Sequence, residues 1–125
     1  MDETQERRKS KRYPVDVPVE VTELLKGKKF SMLTKDVSTA GVFVKTMKVK
    51  MFPAGTAVSL AFISTTSSTP ILVNGEVVRA VDKSTARQTL QEPGLGIMFL
   101  NLDQLDTRSI ERCILVDVIK QDKGG

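Results

Sequence analysis

Val15, Val17, Val19 and Val21 alternate with Asp16, Pro18, Glu20 and Thr22. A period of two places the four valines on one face of a strand and the polar residues on the other. No other feature constrains the fold as much, because the same pattern returns in short runs divided by turn signals. In "TAVSLAFI" at 56–63, Val58, Leu60 and Phe62 point inward, and in the run at 29–34 Phe30 and Met32 share a face. Further strands are expected at 42–46, 71–81 and 95–102. "LLKGKK" at 24–29, "FPAG" at 52–55 and "STTSSTP" at 64–70 supply the breaks. Pro18 has no N–H, so its strand is expected to be an edge there or to carry a bulge, and Gly75 predicts a bulge or a close backbone approach. "DVSTAG" at 36–41 interrupts the second strand, and the polar "DKSTARQTLQEPG" at 82–94 reads as a mobile loop.

The period changes after Asp103, a suitable N-cap. Leu105, Ile110, Cys113, Ile114, Val118 and Ile119 then fall on one face of a helix. Short strands with one terminal helix imply a mainly β fold, an antiparallel barrel or small sandwich with the helix covering an open end. The expected layout is a flexible N-terminus at 1–5, a domain at 6–119 and a flexible tail at 120–125. Within the domain, a basic segment spans 6–14, the barrel 15–102 and the helix 103–119.

With 125 residues and 40% hydrophobic content, the chain can bury a single core without disulfide or metal staples. It holds no apolar run long enough to cross a bilayer, and "MDETQERRKS" lacks the apolar centre of a signal peptide. Cys113 has no internal disulfide partner. These features predict a cytoplasmic protein without membrane insertion. The chain contains no histidine, which removes the commonest general base and metal ligand. Phosphate-loop, nucleophile-elbow and zinc-protease motifs are missing as well. The expectation is a binding protein, not an enzyme, with no metal and no cofactor.

The net charge of +4 comes from one place. Arg7, Arg8, Lys9, Lys11 and Arg12 are clustered, while the remaining 14 basic and 15 acidic residues nearly cancel. So local a cluster suits a small anion better than a nucleic-acid groove, and DNA is not an expected partner. Arg8 and Arg12 each present a planar fork that fits phosphate oxygens or the O6/N7 edge of guanine. Asp36 can accept from guanine N–H groups, and Ser38 can donate or accept. Gly41 can leave room for a ligand against the backbone. The plainer reading of "DVSTAG" is a turn, with Asp36 and Ser38 bonded to nearby amides and Gly41 supplying a positive φ. The plainer reading of the basic run is a solvated tail.

Arg8-Lys9-Ser10-Lys11-Arg12 resembles the R-x-x-x-R motif of PilZ domains, and Asp36-Val37-Ser38-Thr39-Ala40-Gly41 resembles their [DN]-x-S-x-x-G motif. "PAGTAVSL" at 53–60, "NGEVVRAV" at 74–81 and "GLGIMFLNL" at 94–102 are similar too, so the resemblance covers about residues 6–119. It implies a six-stranded antiparallel split barrel with a C-terminal helix, and binding of the bacterial second messenger cyclic di-GMP. Carried over, it assigns Arg8 and Arg12 to phosphate and the guanine Hoogsteen edge, Asp36 and Ser38 to guanine, and Gly41 to the turn. Arg7, just ahead of the first motif, implies two stacked ligand molecules per chain. Arg79 either reaches this pocket from its strand or is a solvated charge, the latter being the expectation.

The mechanism expected from these assignments is a basic segment, mobile without ligand, that orders against the barrel and signals to an effector protein. The protein itself is expected to be a monomer or weak dimer. A rival is a PilZ-like adaptor that binds no nucleotide, with "KVKMFPAG" at 48–55 as its partner patch. A more distant rival is a small barrel that stacks single-stranded nucleic acid on aromatics, which Tyr13 and five mostly inward phenylalanines serve poorly.

Overall fold

The computed structural model describes residues 13–14, 16–63, 70–100 and 108. The alternating runs become strands: β1 (Tyr13–Pro14), β2 (Pro18–Glu23), β3 (Lys29–Val37), β4 (Gly41–Lys45), β5 (Ala57–Phe62), β6 (Ile71–Val81) and β7 (Gly94–Leu100). All pairings are antiparallel, in the order β3-β2-β5-β6-β7-β4, and β4 pairs with β3 again to close a six-stranded barrel. Closure leaves none of these six strands with a long open edge. The short β1 runs beside the end of β3, pairing Tyr13 with Val37 and Pro14 with Asp36.

The barrel interior is filled by the residues that alternation selects. Val17, Val19, Val21, Val58, Leu60, Phe62, Val73, Val77, Leu95 and Ile97 are all buried in one cluster. Each contributes roughly 1.5–3 kcal/mol by leaving water. Val42 and Val44 belong to this core, whereas Phe43 between them belongs to a separate cluster with Val81 and Ala86. Phe43 therefore stands on the outer face of the barrel wall.

Pro18 sits just after the irregularity it predicts. The register to β3 slips by one residue between Pro14↔Asp36 and Pro18↔Leu33. The amide of Val17 is satisfied there by the buried Thr34 Oγ1 at 2.8 Å. Gly75 makes the close approach, since a Cβ there would lie 2.7 Å from Ile97 Cγ2. The bulge in β6 falls instead at Val78, between Val77↔Ile97 and Arg79↔Gly96.

Two expectations are corrected. β3 does not stop before "DVSTAG" but runs on through Val37, with Lys35 bulged out of the ladder to β4. The segment at 82–94 is not a featureless loop, because it holds a helix, α1 (Lys83–Thr89). Asp82 caps it by accepting from the Thr85 amide at 2.8 Å, and Ala86 seats it against the outer cluster. The helix expected at 103–119 lies outside the described residues apart from Arg108, which is helical. Among the described residues no helix is long and apolar enough to cross a membrane.

Candidate ligand-binding site

One row of paired residues crosses the outer wall. Pro14 pairs with Asp36, Asp36 with Phe43, Phe43 with Gly96, and Gly96 with Arg79. Directly paired residues share a face of a sheet. The row spans five strands and brings a carboxylate from β3, an aromatic ring from β4 and a guanidinium from β6 onto one face. The two bulged residues, Lys35 and Val78, flank this row. A bulge turns two successive side chains to one side, and here it keeps both Lys35 and Asp36 out of the core.

A cavity of about 650 Å³ opens on this row, lined by Lys35, Asp36, Ala40, Gly41, Phe43, Val78, Arg79, Gln91 and the Gly96–Met98 stretch of β7. That size suits a small-molecule ligand. The glycines of β7 shape its floor. A Cβ at Gly94 would lie 2.7 Å from the Phe43 ring, so the missing side chain is the space in which the ring lies. Arg79 lies across Gly96 and reaches over Phe43, with Cζ 5.7 Å from the ring centroid. Lys35 Nζ is 5.8 Å from the same centroid and 3.7 Å from Glu92 Oε1. Two cations thus approach the Phe43 ring, each contact worth about 0.5–1 kcal/mol where the cation is exposed.

The 38–41 turn is a closed hydrogen-bonded unit. Ser38 is buried, and its Oγ accepts from the Ala40 and Gly41 amides, each at 3.1 Å, and donates to Gly41 O at 3.3 Å. The Ser38 amide also donates to Gly41 O at 2.9 Å. Ser38 therefore builds the turn that carries the cavity rim, and its hydroxyl is spent on backbone. Gly41 does not have a positive φ. A Cβ there would run into Ile97 O, so the space beside Gly41 is filled by β7 itself, not left open for a ligand.

The structure thus gathers Asp36, Gly41 and Arg79 around one cavity and places Ser38 beneath its rim. Arg79 lines the cavity beside Phe43 while its side chain stays exposed to solvent. Arg7, Arg8 and Arg12 lie outside the described residues, but β1 begins at the very next position after Arg12 and pairs with Asp36 and Val37. Lys35, Phe43, Gln91 and Met98 were not singled out by the sequence. Of these only Lys35 carried a usable signal, as the cation directly before Asp36.

A PilZ domain family model matches residues 6–115. The chain belongs to the PilZ domain family. Its fold is similar to the PilZ domain of YcgR from Escherichia coli, a structure with c-di-GMP. The TM-score is 0.69 at 15% identity, over 94% of this chain and 96% of that one. It is similar also to the PilZ domain of CeSA from a cellulose-synthesizing bacterium, with a TM-score of 0.64 at 18% identity over 85% and 96% of the two chains. The inhibitor of motility MotI/DgrA of Bacillus subtilis gives 0.66 at 16% identity, but there this chain spans 53% of the other. No curated protein sequence matches. The register of β1 on β3 sets Tyr13 and Pro14, which follow the R-x-x-x-R stretch in sequence, beside Val37 and Asp36 of the second motif.

Proposed function

We propose that this PilZ chain is a receptor for cyclic di-GMP that passes binding on to an effector protein without catalysing a reaction. The observation that carries the reading is the cross-strand row. It sets Asp36, Phe43 and Arg79 side by side and puts Tyr13 and Pro14, the residues next after Arg12 in sequence, on the same wall. Asp36 accepts from guanine N–H groups, while Arg79 on its phenylalanine support offers a flat cation for a base to stack on. Arg8 and Arg12 supply forks for phosphate and the guanine O6/N7 edge, and Arg7 holds a second stacked ligand. Ser38 and Gly41 serve the site by fixing the turn. Among the described residues the cavity wall carries one carboxylate, Asp36, and no cysteine, which supports binding over acid–base or nucleophilic chemistry.

Binding then fixes the basic segment against the barrel, and the new surface is what an effector reads. Isothermal titration calorimetry with cyclic di-GMP, and with GTP as control, tests this. Micromolar or tighter affinity for cyclic di-GMP alone is expected, with two ligands per chain. Losing one charge-assisted anchor costs about 1.5–3 kcal/mol, roughly ten- to hundredfold in affinity. Arg8→Ala and Arg12→Ala are expected to show that loss with unchanged thermal unfolding. Wild-type affinity in both variants overturns the assignment, and absence of any binding leaves the nucleotide-free adaptor.

A further inference from the structure

The end of the barrel away from the 38–41 turn carries an unusual surface. Two loops meet there: the β2–β3 turn at 24–28 and the β4–β5 connection at 46–56. The Leu24 amide donates to Ala57 O at 3.1 Å, which ties the turn to the start of β5. Lys48 Nζ lies 5.5 Å from the Phe30 ring centroid, and Phe30 packs edge-on against Phe52 at 5.6 Å, which ties the second loop to the start of β3. Leu25 is 93% exposed, Met47 63%, Leu24 51% and Met51 41%. Between these apolar side chains stand Lys26, Lys28, Lys29, Lys48 and Lys50. The one acid within the two loops and their flanking residues 23–30 and 45–56 is Glu23, whose carboxylate accepts from the Lys26 amide at 2.6 Å. Among the described residues, Lys26, Lys28, Lys48 and Lys50 have no carboxylate at ion-pair distance, while Lys29 reaches Glu20 only at 3.9 Å.

We infer that this end of the barrel docks on an anionic lipid surface, with Leu24, Leu25, Met47 and Met51 entering the interface and the lysines meeting the headgroups. The side chains project from two adjacent loop tips, and the described cavity lies elsewhere, on the outer wall. An anchoring residue of a partner peptide needs a pocket to fill, whereas projecting tips need a soft medium to enter. The loop charge is predominantly positive: five lysines stand among the apolar tips, against Glu23 and the Asp82 carboxylate that Lys50 acts on. A lysine near an anionic bilayer strengthens binding about fivefold, and the effect falls off within a Debye length. β3 runs its nine residues from this end to the wall beside the 38–41 turn, a span of roughly 27 Å. Lipid and nucleotide therefore have separate sites on one rigid body, and the inference does not rest on the nucleotide reading.

Sedimentation of the full chain with vesicles tests it. Vesicles of mixed phosphatidylglycerol and phosphatidylcholine are expected to carry the protein down, pure phosphatidylcholine is not, and added salt reverses the binding. Leu25→Glu and the pair Lys48→Glu with Lys50→Glu are each expected to weaken binding at least tenfold, with unchanged thermal unfolding as the fold control. Arg8→Ala with Arg12→Ala is expected to leave most of the vesicle binding. No sedimentation of wild type with anionic vesicles overturns the inference. So does full binding by the loop variants with loss in the arginine variant, because the N-terminal cluster is then the membrane contact. Capture of a soluble acidic protein through these lysines, without vesicle binding, overturns it in favour of a protein partner.

Discussion

Gly41→Ala separates two accounts of the turn motif. If the glycine leaves room for a ligand, the substitution costs affinity and nothing else. The structure gives it a different duty, since the added methyl would meet the backbone carbonyl of Ile97 across the β4–β7 ladder. A carbonyl in a ladder cannot swing aside as a side-chain end can. Either β4 and β7 separate locally or the turn gives up the bonds between Ser38 and Gly41. Overpacking of this kind costs about 1–3 kcal/mol, and for a domain of this size that lowers the melting temperature by roughly 3–15 °C. Thermal unfolding followed by circular dichroism, without any ligand, reads the effect. Gly96→Ala is the matched control on the same cavity. Its Cβ would sit 3.5 Å from Arg79 Cβ, an ordinary contact, so a change within about 1 kcal/mol is expected. A Gly41→Ala protein that melts with wild type but no longer binds nucleotide refutes the packing argument.

Ser38→Ala leaves the buried Gly41 amide and the part-buried Ala40 amide without their acceptor and is expected to destabilise by about 1–3 kcal/mol, seen as a lower urea midpoint. Arg79→Ala removes the cation above Phe43 and is expected to weaken cyclic di-GMP binding about tenfold in calorimetry, with little change in unfolding. Asp82 offers a pH test. The Thr85 amide, then the Thr85 side chain, with a smaller contribution from Lys50, hold its carboxyl below the usual 3.8. A depressed folded pKa gives stability that is present above the unfolded value and lost as pH falls through the folded one. The melting-temperature difference between wild type and Asp82→Asn is therefore expected near neutral pH and to shrink as pH falls below the usual carboxyl value of 3.8.

Much of the barrel is legible in the sequence because each strand has one wet and one dry face. Val17, Val19 and Val21, or Val58, Leu60 and Phe62, announce this by simple alternation. α1 escaped because a seven-residue helix seated by one alanine has no apolar period to detect. Its visible mark was local, an aspartate three residues ahead of Thr85. The site was half legible. Asp36 and Ser38 stand in a contiguous motif, but the row from Pro14 to Arg79 is assembled from strands far apart in the chain. Arg79 is the sharpest case. Strict alternation from Val73, Gly75 and Val77 would turn it inward, and the bulge at Val78 turns it onto the outer wall. A bulge of this kind depends on the partner strand, here on Gly96 and Ile97, and a single strand's pattern does not record it.

Backbone amide NMR shifts during titration with cyclic di-GMP locate the site without any mutation. Binding on the cross-strand row is expected to move Asp36, Ala40, Gly41, Phe43, Arg79 and Gly96, and to leave Leu25 and Met47 in place. Saturable binding that spares the row and moves residues elsewhere on the barrel contradicts the assignment of this wall as the nucleotide site.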